Sequence, residues 1–215
     1  MSRIAIKICG LSTPETLDAA MKAGASHVGF VHFPKSPRHV ETQQMQALSA
    51  RVPSHVQKVA VMVEPDDALV EKLLNTKALD AVQLHGKETP ERVAALRSRF
   101  PQVRFWKAVS VKSQQDITAA GAYMGAADLI LFDAKTPDGA PLPGGMGLRF
   151  DWTLLRDYRP SAPWGLSGGL DADNVEEAIR ITNAPLVDIS SGVESAPGIK
   201  DVDKIAAFCN AVLQC

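Results

Sequence analysis

Polar residues with reactive side chains recur at the ends of short apolar runs. Lys7 and Cys9 close Ile4–Cys9, Gln83 and His85 close Ala81–His85, and Asp133 follows Leu129-Ile130-Leu131-Phe132. Asp188 and Ser190 close Leu186–Ser190. Each run reads as a strand, and residues two apart share one face of a strand. Lys7 with Cys9, Gln83 with His85, and Asp188 with Ser190 then share a polar face. Ile6 and Ile8, Val82 and Leu84, and Val187 and Ile189 take the opposite, apolar one. A thiol acts as a base only once ionised, and nearby positive charge lowers its ordinary pKa of ~8.5. Lys7 could supply that charge to Cys9, although a small buried thiol used for packing is the plainer reading. Cys209 and Cys215, near the end of the chain, read as packing residues. An acid closing an apolar run is partly desolvated, so Asp133 could keep a proton and donate it, or it could simply order a loop. His85 could bond a ligand or order its own loop. The other four histidines show no metal-ligand spacing with one another.

Two glycine-bearing turns point to an anion. Ser167-Gly168-Gly169 and Ser190-Ser191-Gly192 each follow a strand-like run, and glycine lets backbone N–H groups approach phosphate closely. Pro197-Gly198-Ile199-Lys200-Asp201 reads as the start of a helix beside them. Tight turns without a ligand are the alternative. Arg38, in Phe33-Pro34-Lys35-Ser36-Pro37-Arg38, sits on a proline-stiffened loop. It could present a fixed fork to a carboxylate, or lie solvated at the surface.

The elements that would position these residues alternate along the chain. Strand-like runs at Ile4–Cys9, His27–Phe33, Gln57–Val63, Ala81–His85, Arg104–Val109, Asp128–Ala134, Trp164–Ser167 and Leu186–Ser190 are separated by helix-like segments. These include Glu41–Arg51, Asp66–Asn75, Pro90–Phe100, Ser113–Tyr123, a short helix at Trp152–Tyr158, Asp173–Thr182 and Val202–Leu213. Thr13-Pro14-Glu15 has the cap, proline and acid of a helix start. Eight units in 215 residues are about 27 residues each, enough for a strand, a helix and two loops. Such alternation predicts an α/β fold, a single-domain (β/α)8 TIM barrel over residues 1–215, with an open doubly wound sheet as the other architecture. In a barrel the strand carboxyl ends build the site, which is where the polar residues above fall. The irregular stretch Lys135–Arg149, with four glycines and three prolines, follows the sixth strand. It reads as a cover over a bound ligand or as a passive loop.

Composition narrows the partners. Hydrophobic residues make up 46% and charged residues 22%, and 23 basic against 24 acidic residues leave a net charge of −1. That argues against a dedicated nucleic-acid or membrane-surface binder. Three cysteines make no disulfide framework or zinc site, and a reducing compartment is the simplest reading. No run approaches the ~18 apolar residues of a membrane span, and the first residues do not resemble a signal peptide. A cytoplasmic enzyme is expected, monomer or homodimer.

Read together, the segments resemble the phosphoribosylanthranilate isomerases, barrel enzymes of tryptophan biosynthesis. The likeness is carried by Lys7-Ile8-Cys9-Gly10, Ser36-Pro37-Arg38, Gln83-Leu84-His85-Gly86, Phe132-Asp133-Ala134, Gly144-Gly145-x-Gly147 and Phe150-Asp151-Trp152. It continues through Gly168-Gly169-Leu170 and Asp188–Glu194 with Pro197-Gly198 and Lys200-Asp201. The resemblance implies an Amadori rearrangement of N-(5-phosphoribosyl)anthranilate, a small phosphorylated substrate, with no cofactor and no metal. It implies Cys9 as general base, Asp133 as general acid, Arg38 on the anthranilate carboxylate, and Gly168, Gly169, Ser191 and Gly192 on the phosphate. Lys7, His85 and Asp188 are expected around the substrate, Asp188 orienting its nitrogen. One departure is Met146, where the family usually has threonine. Two other readings stand beside this one. An indole-glycerol-phosphate synthase-like barrel would need a catalytic lysine such as Lys7 or Lys107. A non-catalytic phosphosugar-binding barrel would leave an acid–base pair without purpose.

Overall fold

The computed structural model describes residues 4–137 and 144–215. Eight parallel strands close into a barrel in chain order: β1 (Ala5–Cys9), β2 (His27–Val31), β3 (Gln57–Met62), β4 (Ala81–Leu84), β5 (Arg104–Val111), β6 (Leu129–Ala134), β7 (Trp164–Leu166) and β8 (Leu186–Ile189). β8 pairs back onto β1, with Lys7 opposite Asp188 on one side and His27 on the other. The closed barrel, not the open sheet, is the architecture.

The two-residue alternation does the sorting. Ile6, Ile8, Val28, Phe30, Val82, Leu84, Ile130, Phe132, Val187 and Ile189 face outward into one continuous core shared with the helices. Val59, Ala81, Trp106, Leu129, Leu131 and Leu186 form a second cluster that fills the barrel. Cys9, Val31 and Val61 form a third, small one. Fully burying one large apolar side chain is worth about 1.5–3 kcal/mol, so a one-residue slip, which exchanges the faces, is strongly disfavoured.

Among the described residues seven α-helices cover the barrel: α1 (Pro14–Lys22), α2 (Thr42–Ser49), α3 (Asp67–Leu74), α4 (Pro90–Arg99), α5 (Gln114–Ala120), α6 (Val175–Thr182) and α7 (Val202–Leu213). Their starts are chemically marked. The Thr13, Asp66 and Thr89 side chains accept from backbone amides of the first turn, and Asp201 accepts from two. Ser113 and Asp116 form a capping box.

Two local readings are corrected. The short helix expected at Trp152–Tyr158 is a 3-10 turn at Trp152–Leu155, because the Leu154, Arg156 and Tyr158 amides donate three residues back, to the Asp151, Thr153 and Leu155 carbonyls, and not four. Of the segment Pro197–Asp201 only Asp201 belongs to a helix start, as the cap of α7. A two-stranded hairpin, β9 (Glu194–Ala196) and β10 (Ile199–Lys200), turns at Pro197-Gly198. Its register places Lys200 opposite Glu194, and α7 starts only after it. No described helix is long and apolar enough to cross a membrane.

Candidate active site

A single pocket at the strand carboxyl ends gathers most of the residues singled out above. It encloses about 820 Å³, the space at its open mouth included, and is lined by Cys9, Arg38, Gln83, His85, Asp133, Gly168, Gly169, Asp188 and Ser191 among others. Cys9 ends β1 and Asp133 is the penultimate residue of β6. Both are nearly buried. The barrel thus carries a thiol and a carboxyl, 124 positions apart in the chain, to one cavity.

Lys7 lies one strand step beneath Cys9 and is completely buried. Its Nζ donates to both Asp188 oxygens at 2.9 Å. Burial disfavours the ammonium, but Asp188, helped by Cys9, outweighs it and holds Lys7 protonated above the ordinary lysine range. Burial also pushes the Cys9 thiol up. Lys7 pulls it down, as the sequence suggested, but does not win. The resting group is therefore the thiol, and the ammonium beneath it favours the thiolate whenever it forms.

Asp133 Oδ1 accepts from the Ala134 amide at 2.8 Å. Its Oδ2 lies 3.2 Å from His85 Nε2, too poorly aligned for a hydrogen bond. His85 Nδ1 accepts from the Gln83 amide nitrogen at 3.3 Å. The strand pair Gln83 and His85 thus aims an unsatisfied imidazole nitrogen at the candidate acid. Gly168 packs against the same carboxyl. Its φ is +90°, and a Cβ there would lie 2.6 Å from the Ala134 nitrogen, so only glycine fits.

The β7 and β8 loops offer amides to the mouth. Among the described residues the N–H groups of Gly168, Gly169, Ser191 and Gly192 have no protein acceptor, which suits an anion. Gly192 stands slightly behind the lining, against the Leu170 carbonyl. From the sixth loop, Thr136 and Gly144 to Leu148 line the pocket, the half-exposed Met146 among them. Residues 138–143 of the stretch read as a cover lie outside the described residues.

Arg38 is not a solvated surface arginine: it is 5% exposed. Glu194 takes its Nε at 2.7 Å and its Nη2 at 2.8 Å, and Nη2 also donates to the Gly145 carbonyl at 3.0 Å. Lys200 Nζ approaches Glu194 Oε1 at 2.6 Å and donates to the Ser190 carbonyl and hydroxyl at 2.8 and 3.1 Å. Burial opposes ionisation of Glu194, but its two cationic neighbours hold the carboxyl below the usual range. The sequence reading assigned Glu194 and Lys200 no role. The Pro-Gly pair between Glu-Ser-Ala and Ile-Lys is a hairpin signal that would have set them opposite each other.

The lysine that an indole-glycerol-phosphate synthase would need is not free here. Lys107 Nζ is held by Glu88 at 3.0 Å and by the Leu84, Gly86 and Ala108 carbonyls. It does not line the pocket.

Comparison with known proteins agrees. The family model described as N-(5'-phosphoribosyl)anthranilate (PRA) isomerase matches residues 6–211. The chain belongs to the N-(5'-phosphoribosyl)anthranilate isomerase family. The isomerase of Zymomonas mobilis subsp. pomaceae is 57% identical over 206 residues, covering 96% of both chains. The crystal structure of the Thermotoga maritima isomerase superposes with a TM-score of 0.87 at 35% identity, covering both chains fully. A family structure in complex with reduced 1-(o-carboxyphenylamino)-1-deoxyribulose 5-phosphate has a TM-score of 0.85 at 33% identity, again over both whole chains. Family membership decides between the readings left open above in favour of the isomerase.

Proposed function

We infer that this chain isomerises N-(5-phosphoribosyl)anthranilate to 1-(2-carboxyphenylamino)-1-deoxyribulose 5-phosphate, with Asp133 as general acid and Cys9 as general base. The observation that carries the assignment is that these two groups line one pocket, between a buried arginine and two loops of free amides. Asp133 donates its proton to the ribose ring oxygen. The C1–O bond breaks, and the nitrogen lone pair forms a Schiff-base cation. Cys9 thiolate then removes the proton from C2, the electrons neutralise the nitrogen, and the resulting enol tautomerises to the ketone. Lys7, beneath Cys9, stabilises the thiolate during this step. Arg38 holds the anthranilate carboxylate, and the amides of Gly168, Gly169, Ser191 and Gly192 hold the phosphate. His85 and Asp188 flank the reacting carbons and nitrogen. The whole chain acts as one catalytic unit in the cytoplasm.

Loss of anthranilate-type fluorescence with purified protein reads the reaction directly. A placed acid or base contributes 10²–10⁴-fold, so Cys9→Ala and Asp133→Asn should each lower kcat/KM at least ~100-fold with the melting temperature retained. Wild-type turnover in either variant overturns the role given to that residue.

A further inference from the structure

Arg38, Glu194 and Lys200 form a buried cluster of two cations and one carboxylate, drawn from the β2 loop, β9 and β10. Glu194 grips the guanidinium from the side, through Nε and Nη2. Among the described residues Nη1 has no acceptor, and Arg38 lines the pocket. With Nε and Nη2 taken by Glu194 and the second Nη2 hydrogen by the Gly145 carbonyl, Nη1 is the part of the fork left for a second anion. Lys200 does not compete for that anion. Its Nζ is filled by Glu194 and by both oxygens of Ser190. The Ser190 hydroxyl in turn donates to the Cys9 carbonyl. The Gly198 amide adds a further donor to Glu194 Oε2 at 3.2 Å. The carboxylate is therefore rigidly held, and the rigidity passes to Arg38.

We propose that Glu194 is a positioning residue for substrate recognition: anchored by Lys200 and the Pro197-Gly198 hairpin, it turns the free Nη1 of Arg38 toward the substrate's aromatic carboxylate. This rests on the reading of Arg38 as the carboxylate clamp. One unit of positive charge remains after Glu194 cancels one of the two cations, which suits an anionic ligand. Arg38 also bonds the Gly145 carbonyl of the sixth loop. The same guanidinium thus links the carboxylate subsite to the segment over Asp133.

The test uses two inhibitors of the whole enzyme: reduced 1-(o-carboxyphenylamino)-1-deoxyribulose 5-phosphate and its counterpart lacking the ring carboxylate. Loss of orientation at a charged contact should make Glu194→Gln bind the first ~10-fold or more weakly and the second within about twofold of wild type. In an Arg38→Ala background the same change should add nothing, because no guanidinium remains to aim. Equal losses for both inhibitors, or no loss for either, overturn the positioning role. Arg38→Ala alone separates the two ideas. If it fails to discriminate between the inhibitors, the clamp reading itself falls; if it discriminates and Glu194→Gln does not, only the positioning role falls. Where Glu194→Gln does not fold, Glu194→Gln/Lys200→Met removes the cation together with its counter-charge. It is measured in the same way and carries the same two outcomes.

Discussion

Two buried ion clusters flank this barrel, and they differ in what they leave unsatisfied. On the β4–β5 side, Lys107 and Glu88 are paired one to one. Lys107 has three carbonyl acceptors besides, and Glu88 takes the Glu64 and Gly86 amides. Every group is filled, and the cluster pins the β3 and β4 loops. On the β1–β2–β8 side, two cations share Glu194, and part of the Arg38 fork stays open toward the pocket. Both clusters are similarly buried, so burial does not tell them apart. Their hydrogen-bonding capacity does: one is filled, and the other keeps a donor at the pocket.

Breaking the filled cluster should show the largest effect on stability. Lys107→Met strands a buried carboxylate, which typically costs about 3–5 kcal/mol, so the denaturation midpoint should fall sharply. The KM of the folded fraction should change far less than in Arg38→Ala.

The barrel floor offers a third case, where no carboxylate bonds the half-buried cation-forming group. Burial, with smaller contributions from Lys7 and Arg104 that Asp80 only partly opposes, lowers His27 from 6.5 to about 4. The folded state then binds fewer protons than the unfolded chain between those values. Stability is full above pH 6.5 and falls as pH drops toward 4, by up to about 3 kcal/mol. His27→Gln should remove that slope in denaturation curves taken at pH 7 and pH 4.5. An unchanged slope would assign it elsewhere.

Opening the incomplete cluster should act on binding. Arg38→Ala removes a charge-assisted contact worth about 1.5–3 kcal/mol, so KM should rise ~10–100-fold. Glu194 keeps Lys200 as a partner, and the melting temperature should fall less than in Lys107→Met. An unchanged KM would count against the carboxylate contact.

The smallest effect concerns the third buried pair, Lys7 with Asp188. With the Cys9 thiol raised by burial and only partly relieved by Lys7, its alkylation by iodoacetamide should rise with pH about a midpoint above the ordinary thiol range. Lys7→Met should push that midpoint higher still, followed on the Cys9 peptide by mass spectrometry. A lower midpoint in the variant would contradict the thiolate-stabilising role.

The barrel and its polar inner face were legible in the residues because strand alternation is a local, period-two property. Lys7 with Cys9, Gln83 with His85, and Asp188 with Ser190 needed only their own segments to declare a shared face. The thiol, the acid and the glycine turns were readable for the same reason: each sits at the end of a strand, and in this architecture that position alone assigns it to the mouth. The partnerships were not. Lys7 meets Asp188 across 181 positions, and Arg38 meets Glu194 across 156. Only barrel closure, which lays β8 against β1 in one register, creates those contacts. It also decided the state of Cys9. A neighbouring lysine suggests a lowered thiol, but the degree of burial belongs to the packed interior, and there burial outweighs the charge.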